Sequence, residues 1–111
     1  MWLARMDEKI AGCIALKSLD TERDAGEVKR MYVRPEFRRR NVAGALLDAL
    51  HEYAIFSGYK WLYLDSKRDL ETAIRFYRNR GYTECERYND NPQATIFMRR
   101  QLVPYFRSSA S

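Results

Sequence analysis

EVKRMYVRPEFRRRNVAGALL, residues 27–47, is the stretch on which the reading of this chain turns. It opens with a β-type run at Val28, Met31, Tyr32 and Val33, turns at Arg34-Pro35, and carries three consecutive arginines, Arg38, Arg39 and Arg40. It then enters a helix through the small residues Ala43, Gly44 and Ala45. A strand that passes through a basic turn into such a helix start suits an anion. The first helical N–H groups lack partners, the helix dipole is positive there, and small side chains allow close approach. The same spacing also fits an ordinary strand–loop–helix with a solvated arginine run, so the stretch alone leaves two readings open.

Working outward toward the N-terminus, residues 20–26 form a hydrophilic connection. Before it, 2–6 and 10–19 read as two strands joined by the polar turn Asp7-Glu8-Lys9, a β-hairpin. Gly12 inside the second strand predicts a bulge or a close backbone approach. In the strand 27–33, strict alternation places Glu27, Lys29, Met31 and Val33 on one face.

Toward the C-terminus, a helix over about 43–57 has an apolar stripe at Leu46, Leu47, Leu50, Tyr53 and Ala54. Asp48, His51 and Glu52 fall outside that stripe, so His51 is expected to be a solvated surface histidine. Gly58 is placed to end the helix. KWLYLD, residues 60–65, is nearly continuous in apolar character and reads as a buried strand parallel to 27–33, because a helix joins the two. A second helix over about 70–80 takes Asp69 as its expected N-cap and Gly81 as its end, with Leu70, Ala73, Ile74 and Tyr77 along one side. Two strands, about 82–88 and 94–102, follow around the turn Asn89-Asp90-Asn91-Pro92, and the tail 103–111 is expected to fray.

With 111 residues and no internal repeat or linker, the chain reads as one domain over 1–111, its core over about 2–102. Its hydrophobic content is 46%, yet no apolar run approaches the length of a membrane span and the N-terminus has no signal-peptide pattern. The expectation is a soluble cytoplasmic protein whose two cysteines, Cys13 and Cys85, are reduced, packed thiols without metal-type spacing. Cys85 as a nucleophile lacks a histidine near it in sequence. A net charge of +5 suits an anionic small ligand and nucleic acid equally well. The aromatic residues follow no RNP-type pattern and the basic ones gather at one loop, so nucleic acid is not the expected partner.

Three motifs in order carry a resemblance to a known family: RMYVRPEFR at 30–38, RRRNVA at 38–43 and AIRFYRNRGY at 73–82. From Trp2 to Leu102 the chain resembles the Gcn5-related N-acetyltransferase (GNAT) family, which moves acetyl from acetyl-coenzyme A to an amine. That family's pyrophosphate loop, Gln/Arg-x-x-Gly-x-Gly/Ala, falls on Arg38-Arg39-Arg40-Asn41-Val42-Ala43, with Asn41 in place of the first glycine. Asparagine tolerates a left-handed backbone better than most residues. The resemblance implies an α/β fold: a mixed, mostly antiparallel twisted sheet with one central parallel pair and two helices packed on it. It implies acetyl-CoA as co-substrate, no metal, and an amine acceptor.

The resemblance also assigns parts. The pantetheine arm enters a gap where strands 27–33 and 60–65 splay apart, against the backbone of Met31, Tyr32 and Val33. The backbone from Arg38 through Asn41, Val42, Ala43, Gly44 and Ala45 holds the diphosphate, and Arg39 or Arg40 reaches the 3′-phosphate unless both are simply solvated. Asp65 and Ser66 stand at the groove mouth, with local turn capping as their simpler role. A bulge common in the family's counterpart of strand 27–33 would break its alternation. Typical members carry a strand and two helices ahead of the hairpin that begins this chain. The strand 2–6 is therefore expected to be an exposed edge, which invites pairing into a homodimer.

Acetyl transfer poses two proton problems. An ammonium of pKa about 10.4 must lose a proton, which costs roughly 4–5 kcal/mol at neutral pH, and a departing thiolate of thiol pKa about 8.5 is helped by a donor. Glu27 stands where the family often places its general base, and pairing with Lys29 or an arginine is the alternative. Tyr77, ahead of Gly81-Tyr82, matches the family's proton donor to sulfur, and packing in the core is its alternative. Backbone N–H groups near Met31 would polarise the thioester carbonyl. A non-catalytic acyl-CoA-binding module, or the partner-dependent part of a larger acetyltransferase, is the competing function.

Overall fold

The computed structural model describes residues 1–20 and 24–102, so the expected frayed tail and part of the polar connection at 20–26 lie outside the described residues. Strands β1 (Trp2–Met6) and β2 (Lys9–Asp20) form the expected hairpin. Its turn is the two-residue kind: Met6 pairs with Lys9, and Asp7 and Glu8 both take positive φ, at 51° and 64°. Those angles match the twist of a tight hairpin. Strand β3 (Ala25–Val33) leads through a short 3-10 turn at Pro35–Phe37 into helix α1 (Val42–Phe56). Strand β4 (Trp61–Ser66), helix α2 (Glu71–Asn79), and strands β5 (Thr83–Cys85) and β6 (Ile96–Gln101) complete the order.

The six strands form one sheet in the order β1-β2-β3-β4-β6-β5. Among the described residues only β3 and β4 run parallel, and they pair over just three positions, from Ala25↔Trp61 to Glu27↔Tyr63. Beyond Glu27, β3 continues to Val33 without β4 beside it. This is the predicted mixed sheet with a splayed central pair. The bulge is present too. Against β2, the register steps from Cys13↔Tyr32 to Ala15↔Lys29, and the extra β3 residue is accommodated where Arg30 takes φ +57°. Gly12 is the close approach it was read as: a Cβ there would stand 2.5 Å from the Tyr32 carbonyl oxygen.

The core lies between the sheet and the helices. Leu46, Leu47, Leu50 and Ala54 of α1 pack with Ile14, Val28, Leu62, Leu64 and Met98 of the sheet, and Ile74 and Tyr77 of α2 with Tyr82 join them. Two residues of α1 exchange their expected places: His51 is buried and Tyr53 is half-exposed. At about 100° per residue, His51 lies about 60° from Ala54 at the centre of the buried face, and Tyr53 about 100°. Tyr53 instead meets the Trp2 ring edge-on at 5.4 Å.

Three further expectations are corrected. Asp69 does not cap α2, whose N-cap is Leu70 with no side-chain hydrogen bond. The strand expected over 82–88 stops at Cys85, and the one expected over 94–102 spans only Ile96–Gln101. Between them, asparagine side chains compete with strand pairing. Asn89 Oδ1 accepts from the Asn91 N–H at 3.0 Å, and Asn91 Oδ1 from the Gln93 N–H at 3.1 Å. Arg87 donates to the carbonyls of Asn89, Asn91 and Ala94 and lies over the Phe97 ring at 4.6 Å.

Candidate active site

The divergence of β3 from β4 opens a groove of about 770 Å³ between the end of β3, the start of α1 and one side of α2. Six of the anticipated site residues line it: Met31, Tyr32, Val33, Arg38, Ala43 and Tyr77. Leu70, Ala73 and Phe76 supply apolar wall from α2.

The loop that closes one end is built from the inside. Phe37 is buried in the core and anchors the 3-10 turn. Arg38 then folds back, its Nε donating to the Val33 carbonyl at 3.1 Å. Arg39 and Asn41 both adopt left-handed backbone, at φ +68° and +61°, and turn the chain sharply into α1. Asn41 thus makes the turn that the substituted glycine would have made. Among the described residues no side chain caps α1, and the first intrahelical bond at its start is Ala45 N–H to Asn41 O at 3.1 Å. The amides of Val42, Ala43 and Gly44 precede that bond and are the unpaired donors of a helix start. Arg40 turns away, pairing with Asp7 at 3.6 Å and lying over the Phe37 ring at 5.7 Å. Val42 and Gly44 are buried, while Ala45 is exposed.

Tyr77 is 8% exposed, and burial pushes its phenol up to about 12. The phenol therefore keeps its proton at neutral pH and can act as a donor into the groove that it lines.

Glu27 is brought to a different place. It is 2% exposed and does not line the groove. The Tyr88 hydroxyl donates to its Oε2 at 2.6 Å, Asn89 Nδ2 donates to the same oxygen at 3.1 Å, and Lys29 Nζ stands 3.6 Å from Oε1. Asn89 Nδ2 also donates to Asp65 Oδ2 at 2.7 Å, and Asn91 Nδ2 reaches Asp65 Oδ1 at 3.4 Å. One amide thus links two carboxylates. Burial and the neighbouring Glu27 raise the Tyr88 pKa, which keeps that hydroxyl a donor. The Lys29 pairing anticipated for Glu27 is present, whereas Asp65 neither lines the groove nor caps its own turn: its carboxylate accepts from Asn89 and Asn91, 24 and 26 residues further along the chain. Ser66 ends β4 with its carbonyl accepting from the Thr95 N–H at 2.9 Å and does not line the groove.

Sequence reasoning missed Tyr88 and Asn89, which it read only as strand end and turn. It also missed His51, whose Nε2 lies 2.8 Å from the Tyr82 hydroxyl and whose Nδ1 lies 2.8 Å from Arg100. The one available signal for Asn89 was the density of asparagines in 89–91, a pattern of side chains that bond backbone and neighbours. Burial pushes the Cys85 thiol up, which disfavours a thiolate nucleophile. Among the described residues no group of three or more His, Cys, Asp or Glu is arranged to hold a metal ion, and no helix is long and apolar enough to cross a membrane.

Comparison with known proteins agrees with this geometry. The family model for an acetyltransferase (GNAT) domain matches residues 1–84. The uncharacterized N-acetyltransferase YsnE of Bacillus subtilis is 35% identical over 106 residues, covering 91% of this chain and 68% of that protein. An acetyltransferase of the GNAT family from Staphylococcus aureus superposes with a TM-score of 0.84 at 26% identity, covering 92% of this chain and 67% of its own. The PaiA N-acetyltransferase of Thermoplasma acidophilum, whose structure is a complex with coenzyme A, gives a TM-score of 0.75 at 20% identity over 89% of this chain and 58% of its own. The first three curated relatives are longer, and this chain spans 53% to 68% of their length. A groove opened by a splayed parallel pair, an uncapped helix start below it and the family match over residues 1–84 lead to one conclusion: the chain belongs to the GNAT acetyltransferase family.

Proposed function

We propose that this domain is an N-acetyltransferase that takes acetyl from acetyl-CoA and passes it to an amine by direct attack in a ternary complex. The observation that carries the reading is the groove itself, which gathers the 31–33 backbone, the uncapped start of α1 and the Tyr77 phenol. The residues present fit the co-substrate. Three unpaired amides and a positive helix end suit a diphosphate, and apolar wall from Leu70, Ala73 and Phe76 suits a pantetheine chain. The coenzyme complex of the Thermoplasma acidophilum neighbour supports the same choice.

When bound, acetyl-CoA supplies an activated thioester. The N–H groups near Met31 polarise its carbonyl and carry the charge that develops on oxygen. Glu27 lies buried outside the groove, so in this reading it takes the proton that the attacking nitrogen loses through water; its Oε1 has Lys29 as its close partner at 3.6 Å and carries no hydrogen bond from Tyr88 or Asn89. The new C–N bond forms as the C–S bond breaks. Tyr77 faces the leaving sulfur. A phenol at about 12 is a weaker acid than a thiol near 8.5, so full transfer is uphill by roughly 5 kcal/mol. Hydrogen-bond donation to the developing thiolate is the part that Tyr77 performs, and the proton equilibrates with solvent after release.

Tyr77→Phe tests this. Removing the donor should lower turnover by about tenfold or more while coenzyme affinity, read by calorimetry, stays within about twofold. Unchanged turnover would remove Tyr77 from the chemistry, and a wild-type protein that takes up no acetyl-CoA would remove the function.

A second reading, favoured by a Glu27 that is buried outside the groove, is a non-catalytic acyl-CoA-binding module or the partner-dependent part of a larger acetyltransferase. Steady thiol release across an amine panel supports the first reading. Coenzyme binding without turnover supports the second. The β1 edge, with Leu3 half-exposed, further supports a homodimer joined through that strand.

A further inference from the structure

One polar row on α1 faces the end of α2. Gly44, Asp48 and His51 are spaced i, i+4 and i+7, so they lie along a single stripe of the helix. The segment that leaves α2 presents Arg80 and Tyr82 to that stripe. The Arg80 guanidinium pairs with the Asp48 carboxylate and donates to the Gly44 carbonyl at 3.5 Å. One turn further along α1, His51 bonds the Tyr82 hydroxyl at 2.8 Å while Arg100 of β6 holds its other ring nitrogen. Arg100 can only donate, so Nδ1 is the acceptor, the proton sits on Nε2, and Nε2 donates to Tyr82.

Both anchors sit beside Tyr77. The Arg80 N–H donates to the Tyr77 carbonyl at 3.0 Å and the Tyr82 N–H to the same oxygen at 3.1 Å. The Tyr82 ring meets the Tyr77 ring edge-on at 5.8 Å. The Arg80 guanidinium lies 5.4 Å over Phe76, which lines the groove next to Tyr77. At the other end, the guanidinium occupies the space a side chain would need. A Cβ on Gly44 would collide with an Arg80 nitrogen and with Asn41 Oδ1, the side chain of the residue that turns the loop into α1.

We propose that Arg80 is a positioning residue that fixes the first turn of α1, and with it the diphosphate-holding amides, at a set distance from Tyr77. A slip of about 1 Å between a binding cradle and a reacting group costs on the order of a hundredfold in rate, so such a link matters even though Arg80 touches neither coenzyme nor acceptor. The inference rests on the acetyl-CoA reading above for its consequence. The contact itself does not depend on that reading.

Two measurements test it. In a thermal-melt cycle, Gly44→Ala should lower Tm clearly in the wild-type background and by a smaller amount beside Arg80→Ala, where the Arg80 guanidinium is gone and only Asn41 Oδ1 still collides. Equal shifts in both backgrounds would overturn the proposal without any coenzyme. In calorimetry with coenzyme A, Arg80→Ala should weaken binding by about fivefold to tenfold, and Arg80→Lys, which can still reach Asp48, should recover part of the loss. With pantetheine, which lacks the diphosphate, the same variants should bind like wild type. Wild-type binding of coenzyme A that Arg80→Ala leaves unchanged would overturn the proposal and leave the acetyl-CoA reading standing. A wild type that does not bind coenzyme A would overturn both.

Discussion

His51 can accept from Arg100 only while Nδ1 carries no proton, and its surroundings hold it in that state. Burial lowers its pKa from 6.5 to about 4, aided by Arg100 and Arg80 and opposed by Asp48. The unfolded chain therefore binds a proton between about pH 6.5 and 4 that the folded chain refuses, and stability falls as pH drops through that window. With some screening by solvent, the gap corresponds to roughly 2–3 kcal/mol. Melts at pH 7.5, 5.5 and 4.5 should show this loss, and His51→Gln, which keeps a donor and an acceptor but does not titrate, should start less stable and have a flatter slope. Parallel slopes would remove His51 as the cause. Glu27 makes a complementary case. Glu27→Gln preserves an oxygen for Tyr88 and Asn89 to bond, so Tm should move by only a few degrees. If Glu27 is the base, turnover should fall by about a hundredfold. A variant with full turnover would leave Glu27 a structural carboxylate. Tyr77 could be picked out in the sequence because its run has a fixed pattern. His51 could not, because a histidine one step off an apolar stripe looks solvated until its partners, 31 and 49 residues away, are known.

At the scale of elements, legibility followed locality. The hairpin, the strand–turn–helix and the glycines after each helix depend on near neighbours, and all were readable; Gly58 and Gly81 indeed take φ +91° and +92°. The length of β5 and β6 was not, since it is decided by Asn89, Asn91 and Arg87 bonding within 87–94 and by Asn89 reaching back to Glu27 and Asp65. Gly12 shows how one element constrains the groove. A Cβ there would press on the Tyr32 carbonyl of β3 and also on Leu46, and backbone cannot swing aside as a side chain can. Gly12→Ala should cost about 1–3 kcal/mol by overpacking. Because Tyr32 and Val33 wall the groove, the variant should also bind acetyl-CoA several-fold more weakly; thermal melts and calorimetry on one sample check both effects. A Gly12→Ala variant as stable as wild type would show that β3 yields at this point.

The whole molecule presents an asymmetry. The far edge of the sheet is the three-residue β5, too short to template much pairing, whereas β1 offers five residues with Leu3 half-exposed on the face away from α1. Met1 next to that edge and Phe56 at the end of α1 are also exposed, and Tyr53 of α1 meets Trp2 of β1 edge-on. An antiparallel pairing of two β1 strands about Ala4 would be symmetric by construction, with that small residue at the centre and Leu3 opposite Arg5 of the other copy. It would join two six-stranded sheets into one without moving either groove, because the site lies across β3 and α2. Light scattering at micromolar concentration should therefore give a dimer mass for the wild type. Leu3→Lys places a charge on the pairing edge and should shift the mass toward monomer with coenzyme affinity intact, since Leu3 lies outside the groove. A wild-type monomer at that concentration would leave β1 as an edge kept apart by Arg5 and its own brevity, and a dimer indifferent to Leu3→Lys would move the interface to the exposed face of α1 at Tyr53 and Phe56.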